Sequence, residues 1–220
     1  MTIDVILTGR EAERVLISGA SGSGKTTFAV QLVREAARAV WVDVKRDNAP
    51  GWPVVYATDF LYAGDTPEAR GARLAEHLGN WPHLTVQLAD LPGLSDTDQL
   101  DAVAAAVFAL GNTLLVLDDA MGVVDSAPPY YLNRILTMGR SRGVGFVGIT
   151  QRVHRIPLVF LTEAVHLVAF KAYGGSDVDR LARDGHAALA EVRDLAPYSY
   201  IWVDRGGGTV QLFKPLRRAA

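Results

Sequence analysis

The sequence of 220 residues predicts an α/β fold with a mostly parallel central sheet flanked by helices. Short runs rich in Val, Ile and Leu alternate with Ala-, Leu- and Arg-rich stretches of helical length, which is typical of strand–helix–strand units. Several of these runs are apolar throughout, as in strands buried on both faces. The last segment, 198–215, has two β-type runs joined by a glycine-rich turn, which predicts a C-terminal β-hairpin.

The first half of the chain contains three predicted strands and three predicted helices. The third helix has the clearest limits, because Ser95 or Asp96 is a natural N-cap and Gly111 a natural stop. A polar turn rich in Pro and Gly, 45–53, follows the second strand. In chain order the elements are a strand at 14–19, a helix at about 25–38, a strand at 39–44, a helix near 66–79, a strand at 83–88 and a helix from 95 to 111.

The second half continues the alternation. Residues 113–119 form a continuous apolar run, typical of a strand with helices on both sides. Prolines stand where the next helix begins and Gly143 stands where it ends, which predicts a helix within 127–143. The remaining elements are strands at 144–150 and 164–170, a short helix near 175–184 and the hairpin. Because no repeat or interdomain linker is apparent, we expect residues 1–220 to form one domain.

Composition excludes some classes of function. The sequence is 49% hydrophobic and has 22 Lys+Arg against 24 Asp+Glu, a formal net charge of -2, so any site for a polyanion must be local. It has no cysteine, which excludes disulfides and thiolate metal sites. Neither a signal peptide nor an apolar run of the roughly 20 residues that span a bilayer is present. We therefore expect a soluble intracellular protein without a transmembrane segment.

The segment GASGSGKT, 19–26, matches the pattern G-x-x-x-x-G-K-[ST] between a predicted strand and a predicted helix. Glycines let the backbone curl so that N–H groups converge on phosphate oxygens at a helix N-terminus. Lys25 would reach the β- and γ-phosphates, and the Thr26 hydroxyl would ligate Mg²⁺. The segment therefore predicts a site for ATP and Mg²⁺, formed by Gly19, Ala20, Ser21, Gly22, Ser23, Gly24, Lys25, Thr26 and Thr27.

Two aspartates end the apolar run 113–119. Open α/β sheets bind ligands at the carboxyl ends of their strands, where Asp118 would lie. A carboxylate there can hold the Mg²⁺ that bridges the phosphates, so Asp118 is the second predicted metal ligand. Asp119 is a candidate to orient or deprotonate an attacking water.

The stretch GRSRGVGFVGITQR, 139–152, carries polar groups at both ends of an apolar strand. Gln151 would lie beside the nucleotide, where its amide can hydrogen-bond the γ-phosphate or the attacking water. Arg140 and Arg142 would lie at the opposite end of the strand, away from their own subunit's nucleotide. In a ring they are candidates to serve the nucleotide of a neighbour as arginine fingers. The alternative is that the two arginines only lie at a solvated helix end, where the helix dipole stabilises positive charge.

Four segments together resemble the FtsK–HerA superfamily of DNA-pumping P-loop ATPases: GASGSGKT, VWVDVKRD, TLLVLDDA and GRSRGVGFVGITQR. The selective part is the strand that ends in Thr150-Gln151-Arg152, together with the Asp-x-Lys pattern of Asp43 and Lys45. By this resemblance Arg140 is the better finger candidate of the two arginines. Asp119 departs from the family, which usually has Glu at this position, so the carboxylate that would act as general base is one methylene shorter here.

The resemblance implies a single P-loop ATPase domain with the RecA-like (ASCE) fold. It also implies that ATP hydrolysis by this domain drives movement along double-stranded DNA. Chain length makes viral genome-packaging ATPases of tailless icosahedral viruses with an internal membrane the most similar group. Implied partners are the DNA backbone, further copies in a pentameric or hexameric ring, and a capsid or portal/membrane protein. The implied location is the host cytoplasm, with the virion vertex as a further possibility.

Candidates for backbone contacts to DNA are few, since the net charge is small. In the loop 45–53 we expect Trp52 and its prolines to make a stiff projection. The basic candidates are Lys45, Arg46, Arg152, Arg155 and the terminal segment 214–220.

Other classes of function stay open. A cellular DNA pump of the FtsK–HerA type shares every motif named above. A small-molecule or nucleotide kinase would need a lid, for which 60–75 is the candidate segment. A third class is a regulatory or partner-recruiting protein in which hydrolysis is incidental.

Overall fold

The computed structural model describes residues 13–59, 62, 64–90, 93–124 and 126–214. The terminal basic segment beyond Lys214 and residues 60, 61 and 63 of the candidate lid lie outside the described residues. None of the helices in the described ranges is both long and apolar enough to cross a bilayer.

A central sheet of nine strands organises the described part of the chain. From one edge to the other its order is β3-β4-β2-β5-β6-β1-β7-β8-β9. All neighbours from β3 to β7 are parallel, whereas β8 is antiparallel to β7 and to β9. The strands are β1 (Arg14–Ser18), β2 (Ala39–Asp43), β3 (Val54–Tyr56), β4 (His83–Gln87), β5 (Leu114–Asp118), β6 (Gly145–Thr150), β7 (His166–Phe170), β8 (Tyr200–Asp204) and β9 (Thr209–Phe213). The predicted mostly parallel sheet and C-terminal hairpin are confirmed.

Helices cover both faces of this sheet. Ser95 caps the helix that follows it through a capping box with Asp98, and Thr66 caps the preceding helix through its side chain. The helices are α1 (Lys25–Val33), α2 (Pro67–Asn80), α3 (Asp96–Leu110), α4 (Tyr130–Met138), α5 (Leu158–Thr162) and α6 (Gly175–Arg180). Short 3-10 turns lie at 57–59, 120–122, 139–142, 153–155 and 187–194, and a π turn lies at 181–185.

Strand β5 shows why the central strands are apolar throughout. All five of its residues are buried. Leu115 and Leu117 pack into the hydrophobic cluster on one face of the sheet, and Leu114 and Val116 pack into the cluster on the other. Side chains alternate between faces along a strand, so a strand covered on both sides needs apolar residues on both faces, up to Asp118 at its carboxyl end.

Four predicted boundaries or elements differ from the structure. The first helix ends at Val33 and not at 38, and the helix predicted within 127–143 ends at Met138 and continues as a 3-10 turn. Gly139 is tightly packed there, because an added Cβ would lie 2.7 Å from the Val144 carbonyl oxygen. Strand β3 and helix α5, of three and five residues, were not predicted, since such short runs carry too little periodicity.

The expectation that Trp52 projects from the loop 45–53 is wrong. Its ring stacks on His83 at 4.7 Å between centroids and meets Trp41 edge-on at 6.2 Å. The Asn48 amide also donates to the Trp52 carbonyl. The loop is folded back on the sheet because burying the indole removes its large apolar surface from water.

Candidate nucleotide-binding site

The carboxyl ends of the parallel strands bring most of the predicted site residues to one edge of the sheet. Ser18 at the end of β1 lies in register with Thr150 of β6, so the loop after β1 and the residues after β6 start side by side. Asp43 lies in register with Asp118 on one side and with Gln87 on the other. A ligand at this edge therefore meets groups from at least four strands.

The loop 19–24 has the backbone that phosphate binding requires. Gly19 has φ 147° and Gly24 has φ 103°, which only glycine adopts readily. At Gly19 an added Cβ would also lie 2.7 Å from the Cβ of Phe170. The Ala20 amide donates to the Lys171 carbonyl at 2.8 Å, which fixes the start of the loop to the chain after β7. The backbone N–H groups of the rest of the loop precede the N-terminus of α1, where an anion is favoured.

Lys25 begins α1 and is folded into the loop. Its side chain is buried, and Nζ donates to the carbonyl of Ala20 at 2.7 Å. The pKa of Lys25 is lowered to about 8, chiefly by burial and also by nearby Lys45, while Asp118 and Asp119 oppose the shift. An anion placed in the loop would raise this pKa again, because it favours the charged ammonium.

Asp118 is fully buried at the end of β5 and faces Lys45. Lys45 Nζ lies 3.2 Å from Asp118 Oδ1 and 3.8 Å from Asp119 Oδ2. Burial raises the pKa of Asp118, and Lys45 opposes the shift. Asp119 has a left-handed backbone, φ 63°, which turns the chain sharply at the end of the strand.

Three buried polar atoms at this edge have no hydrogen-bond partner among the described residues: Ser23 Oγ, Asp118 Oδ2 and Asp119 Oδ1. A buried polar atom without a partner costs about 1–3 kcal/mol, so such atoms require an explanation. A hydroxyl in the loop suits a phosphate oxygen, and two carboxylate oxygens suit a hard divalent cation and its water. The residues present therefore fit a nucleoside triphosphate with Mg²⁺.

Gln151 follows β6 and lines a cleft of about 310 Å³ with Ala20 and Ser21 of the loop. Asp177 of α6 holds the next residues in place and was not predicted. Its Oδ1 accepts from the N–H and Nδ1 of His154 at 3.0 and 2.8 Å, and its Oδ2 lies 3.4 Å from Arg152 Nη1. No motif marks Asp177, because its partners lie more than 20 residues away in the chain.

The two candidate finger arginines lie at the opposite edge of the sheet, in the 3-10 turn that leads into β6. Arg140 is exposed and borders a cleft of about 550 Å³ together with Glu13, Arg14 and Arg205. Arg142 has a different environment. Its Nε donates to the Phe108 carbonyl at 2.6 Å and its Nη2 to the Ala109 carbonyl at 2.9 Å, so it binds the C-terminal turn of α3.

Arg142 is therefore expected to contribute to stability. Arg142→Met should lower the free energy of unfolding by about 1–3 kcal/mol, because it removes two hydrogen bonds from a charged donor to orphan helix carbonyls. Urea denaturation of the variant against wild type measures this. The variant Arg140→Met, in the same turn, should have a smaller effect on stability, since it is Arg142 that binds the last carbonyls of α3. Equal effects of the two changes would contradict the assignment.

The basic candidates for DNA contact lie in different environments. Lys45 belongs to the candidate nucleotide site through its ion pairs with Asp118 and Asp119. Arg46 makes a bidentate contact with Asp90 on the surface, and that contact raises the pKa of Arg46. Arg152 is half exposed beside Asp177, and Arg155 is exposed.

The sheet order and the position of the loop after β1 are those of the RecA-like fold of P-loop NTPases. Comparison with solved structures gives the same fold. The genome packaging NTPase B204 from Sulfolobus turreted icosahedral virus 2, in complex with AMPPCP, aligns with a TM-score of 0.70 at 16% identity, over 93% of this chain and 98% of that one. VirB4 of Thermoanaerobacter pseudethanolicus aligns with a TM-score of 0.62 at 11% identity, over 94% and 90%.

The RecA-like fold that the resemblance of the four sequence segments implies is therefore confirmed. The N-terminal domain of zonular occludens toxin from Neisseria meningitidis aligns less closely, with a TM-score of 0.51 at 11% identity, over 94% and 96%. Neither protein-family models nor curated proteins gave a match to this sequence.

Proposed function

We propose that this protein is an ATPase that moves double-stranded DNA, as the motor of viral genome packaging. The observation that carries the proposal is the set of buried polar atoms on the P-loop and at the end of β5 that have no hydrogen-bond partner among the described residues. These atoms lie at the edge of the sheet opposite to an exposed arginine, Arg140. This arrangement suits hydrolysis at a site completed by a second subunit. The likeness of fold to B204, a viral packaging NTPase, supports the choice of substrate.

In this proposal Thr26 and Asp118 hold Mg²⁺, which supplies positive charge to the β- and γ-phosphates. Lys25 and the loop N–H groups bind the same phosphates. Asp119 orients the attacking water and accepts its proton, and the Gln151 amide fixes that water against the γ-phosphate. Lys45 neutralises the two aspartates at the end of β5.

Arg140 is the finger that we assign to the neighbouring subunit's nucleotide in a pentameric or hexameric ring. Arg142 is not, because its guanidinium is committed to the carbonyls of α3. Duplex DNA would pass through the ring and contact Arg46, Arg152 and Arg155 through its backbone. A capsid or portal/membrane protein would hold the ring at the virion vertex, on the side of the host cytoplasm.

ATPase turnover with and without duplex DNA tests this function. We expect duplex DNA to stimulate turnover, and the stimulation to fall steeply between 50 and 200 mM salt because binding releases counterions from the phosphate backbone. Lys25→Ala, which removes the phosphate-binding ammonium, is the inactive control. Transfer of phosphate to a small acceptor would instead identify a kinase, and slow turnover that ignores DNA would indicate a regulatory protein.

A further inference from the structure

Tyr198 is an exposed aromatic residue in a strained conformation beside the phosphate loop. It lies just before β8, has φ 61° and is 60% exposed. A bulky residue with positive φ is rare, and such strain is found where a ligand site needs a side chain in one place. Its ring is close to the loop, because Cδ1 lies 3.4 Å from the position that a Cβ on Gly24 would occupy.

The sheet order gives the direction in which a bound nucleotide would run. Asp118 ends β5 and Gln151 follows β6, on one side of β1 and its loop. Tyr198 precedes β8, which lies on the other side, beyond β7. A triphosphate whose γ end meets Asp118 and Gln151 therefore extends its nucleoside end towards β7 and β8, where the ring of Tyr198 lies.

The turn that contains Tyr198 is held by a backbone hydrogen bond and by the aromatic packing of Tyr200. The Ser199 N–H donates to the Ala196 carbonyl at 3.1 Å, which closes a turn around Tyr198. Directly after it, Tyr200 packs against Phe28 and Phe170 with centroids 4.9 and 5.0 Å apart. A turn anchored on this buried aromatic cluster presents the ring of Tyr198 in a fixed place, which lowers the entropy cost of binding.

We infer that Tyr198 is the stacking platform for the nucleobase of the bound triphosphate. The inference rests on the proposed nucleotide site and adds its base specificity. Stacking uses the flat face that every base has and does not read the hydrogen-bonding edge. Tyr198 therefore selects nucleotides over inorganic triphosphate while discriminating little between ATP and GTP.

Calorimetric titration with a non-hydrolysable ATP analogue, the matching GTP analogue and tripolyphosphate, each with Mg²⁺, tests this inference. Tyr198→Gly removes the ring and keeps a residue that tolerates positive φ. It should weaken binding of both analogues by about 5- to 150-fold, the range that corresponds to loss of one base–aromatic stack, and leave tripolyphosphate binding unchanged. Tyr198→Phe should bind like wild type, since it keeps the stacking face.

Tyr56 offers a matched control. It is 52% exposed and ends β3, the edge strand that lies on the far side of β1 from β8. Tyr56→Ala should leave the affinity for both analogues near that of wild type. The inference is overturned if Tyr198→Gly binds the two analogues as tightly as wild type does. It is overturned as well if the variant loses affinity for tripolyphosphate to the same extent as for the analogues. A preference of wild type for the ATP analogue over the GTP analogue by more than about 10-fold would also contradict it. Wild type that binds none of the three ligands would overturn the nucleotide site itself.

Discussion

Arg140→Ala is expected to lower ATP turnover of the assembled protein by about 10³–10⁵-fold and to leave nucleotide affinity unchanged. Arg140 is an exposed residue at the edge of the sheet opposite to its own P-loop, so in the proposed ring it would act on the nucleotide of another copy. A finger stabilises charge that develops in the transition state, which is why its loss appears in turnover and not in binding. Steady-state ATPase at protein concentrations above and below ring assembly measures it.

Mixing two inactive variants separates a shared site from a site within one subunit. Lys25→Ala removes the phosphate-binding ammonium but keeps the finger, and Arg140→Ala does the reverse. Mixed rings should regain turnover, because some interfaces pair an intact loop with an intact finger. Arg142→Met should keep turnover close to wild type once its lower stability is allowed for. No recovery in rings that assemble normally would refute the finger in trans.

Asp118→Asn should have opposite effects on activity and on stability. Turnover should fall by about 10²-fold or more, since the amide is a poor Mg²⁺ ligand and one source of transition-state stabilisation is lost. Burial raises the pKa of Asp118, which means that the folded state disfavours its charged form at neutral pH. The nucleotide-free variant should therefore unfold at a higher urea concentration than wild type.

Asp43, in register on the neighbouring strand, is the matched control for this stability effect. It is also fully buried, but its Oδ2 accepts from the Asn48 N–H at 2.8 Å and from Gln87 Nε2 at 3.1 Å. Asp43→Asn should lower the free energy of unfolding by about 1–3 kcal/mol, because it weakens charge-assisted hydrogen bonds. If both variants unfold at a lower urea concentration than wild type, the buried carboxylate of Asp118 does not destabilise the nucleotide-free protein, and this prediction is wrong.

Local sequence patterns predicted the class of fold because they act within one element. The apolar run 113–119 corresponds to β5, and the Ser95 cap marks the start of α3 within one residue. The P-loop follows from a contiguous motif, so its place between β1 and α1 was predictable as well. Each of these features depends on neighbours in the chain, which the sequence shows directly.

The remaining features depend on contacts between distant segments. Lys45 pairs with Asp118 because β2 lies next to β5, and no local pattern specifies that order of strands. Arg142 reaches the end of α3, 33 and 34 residues earlier in the chain. The Pro-rich segment around Trp52 predicts a projecting loop, because nothing in that segment indicates that Trp52 stacks on His83.

Strand β6 has a mechanical consequence for the proposed ring. Its six residues are all buried, and it joins the turn that carries Arg140 directly to Gln151. At about 3.3 Å per residue it is a stiff rod of roughly 20 Å in a close-packed interior. In the proposed ring, Gln151 beside a subunit's own nucleotide and Arg140 beside the neighbour's nucleotide would therefore lie at the two ends of a single rigid strand. In such a ring the state of one nucleotide site would therefore be coupled mechanically to the next.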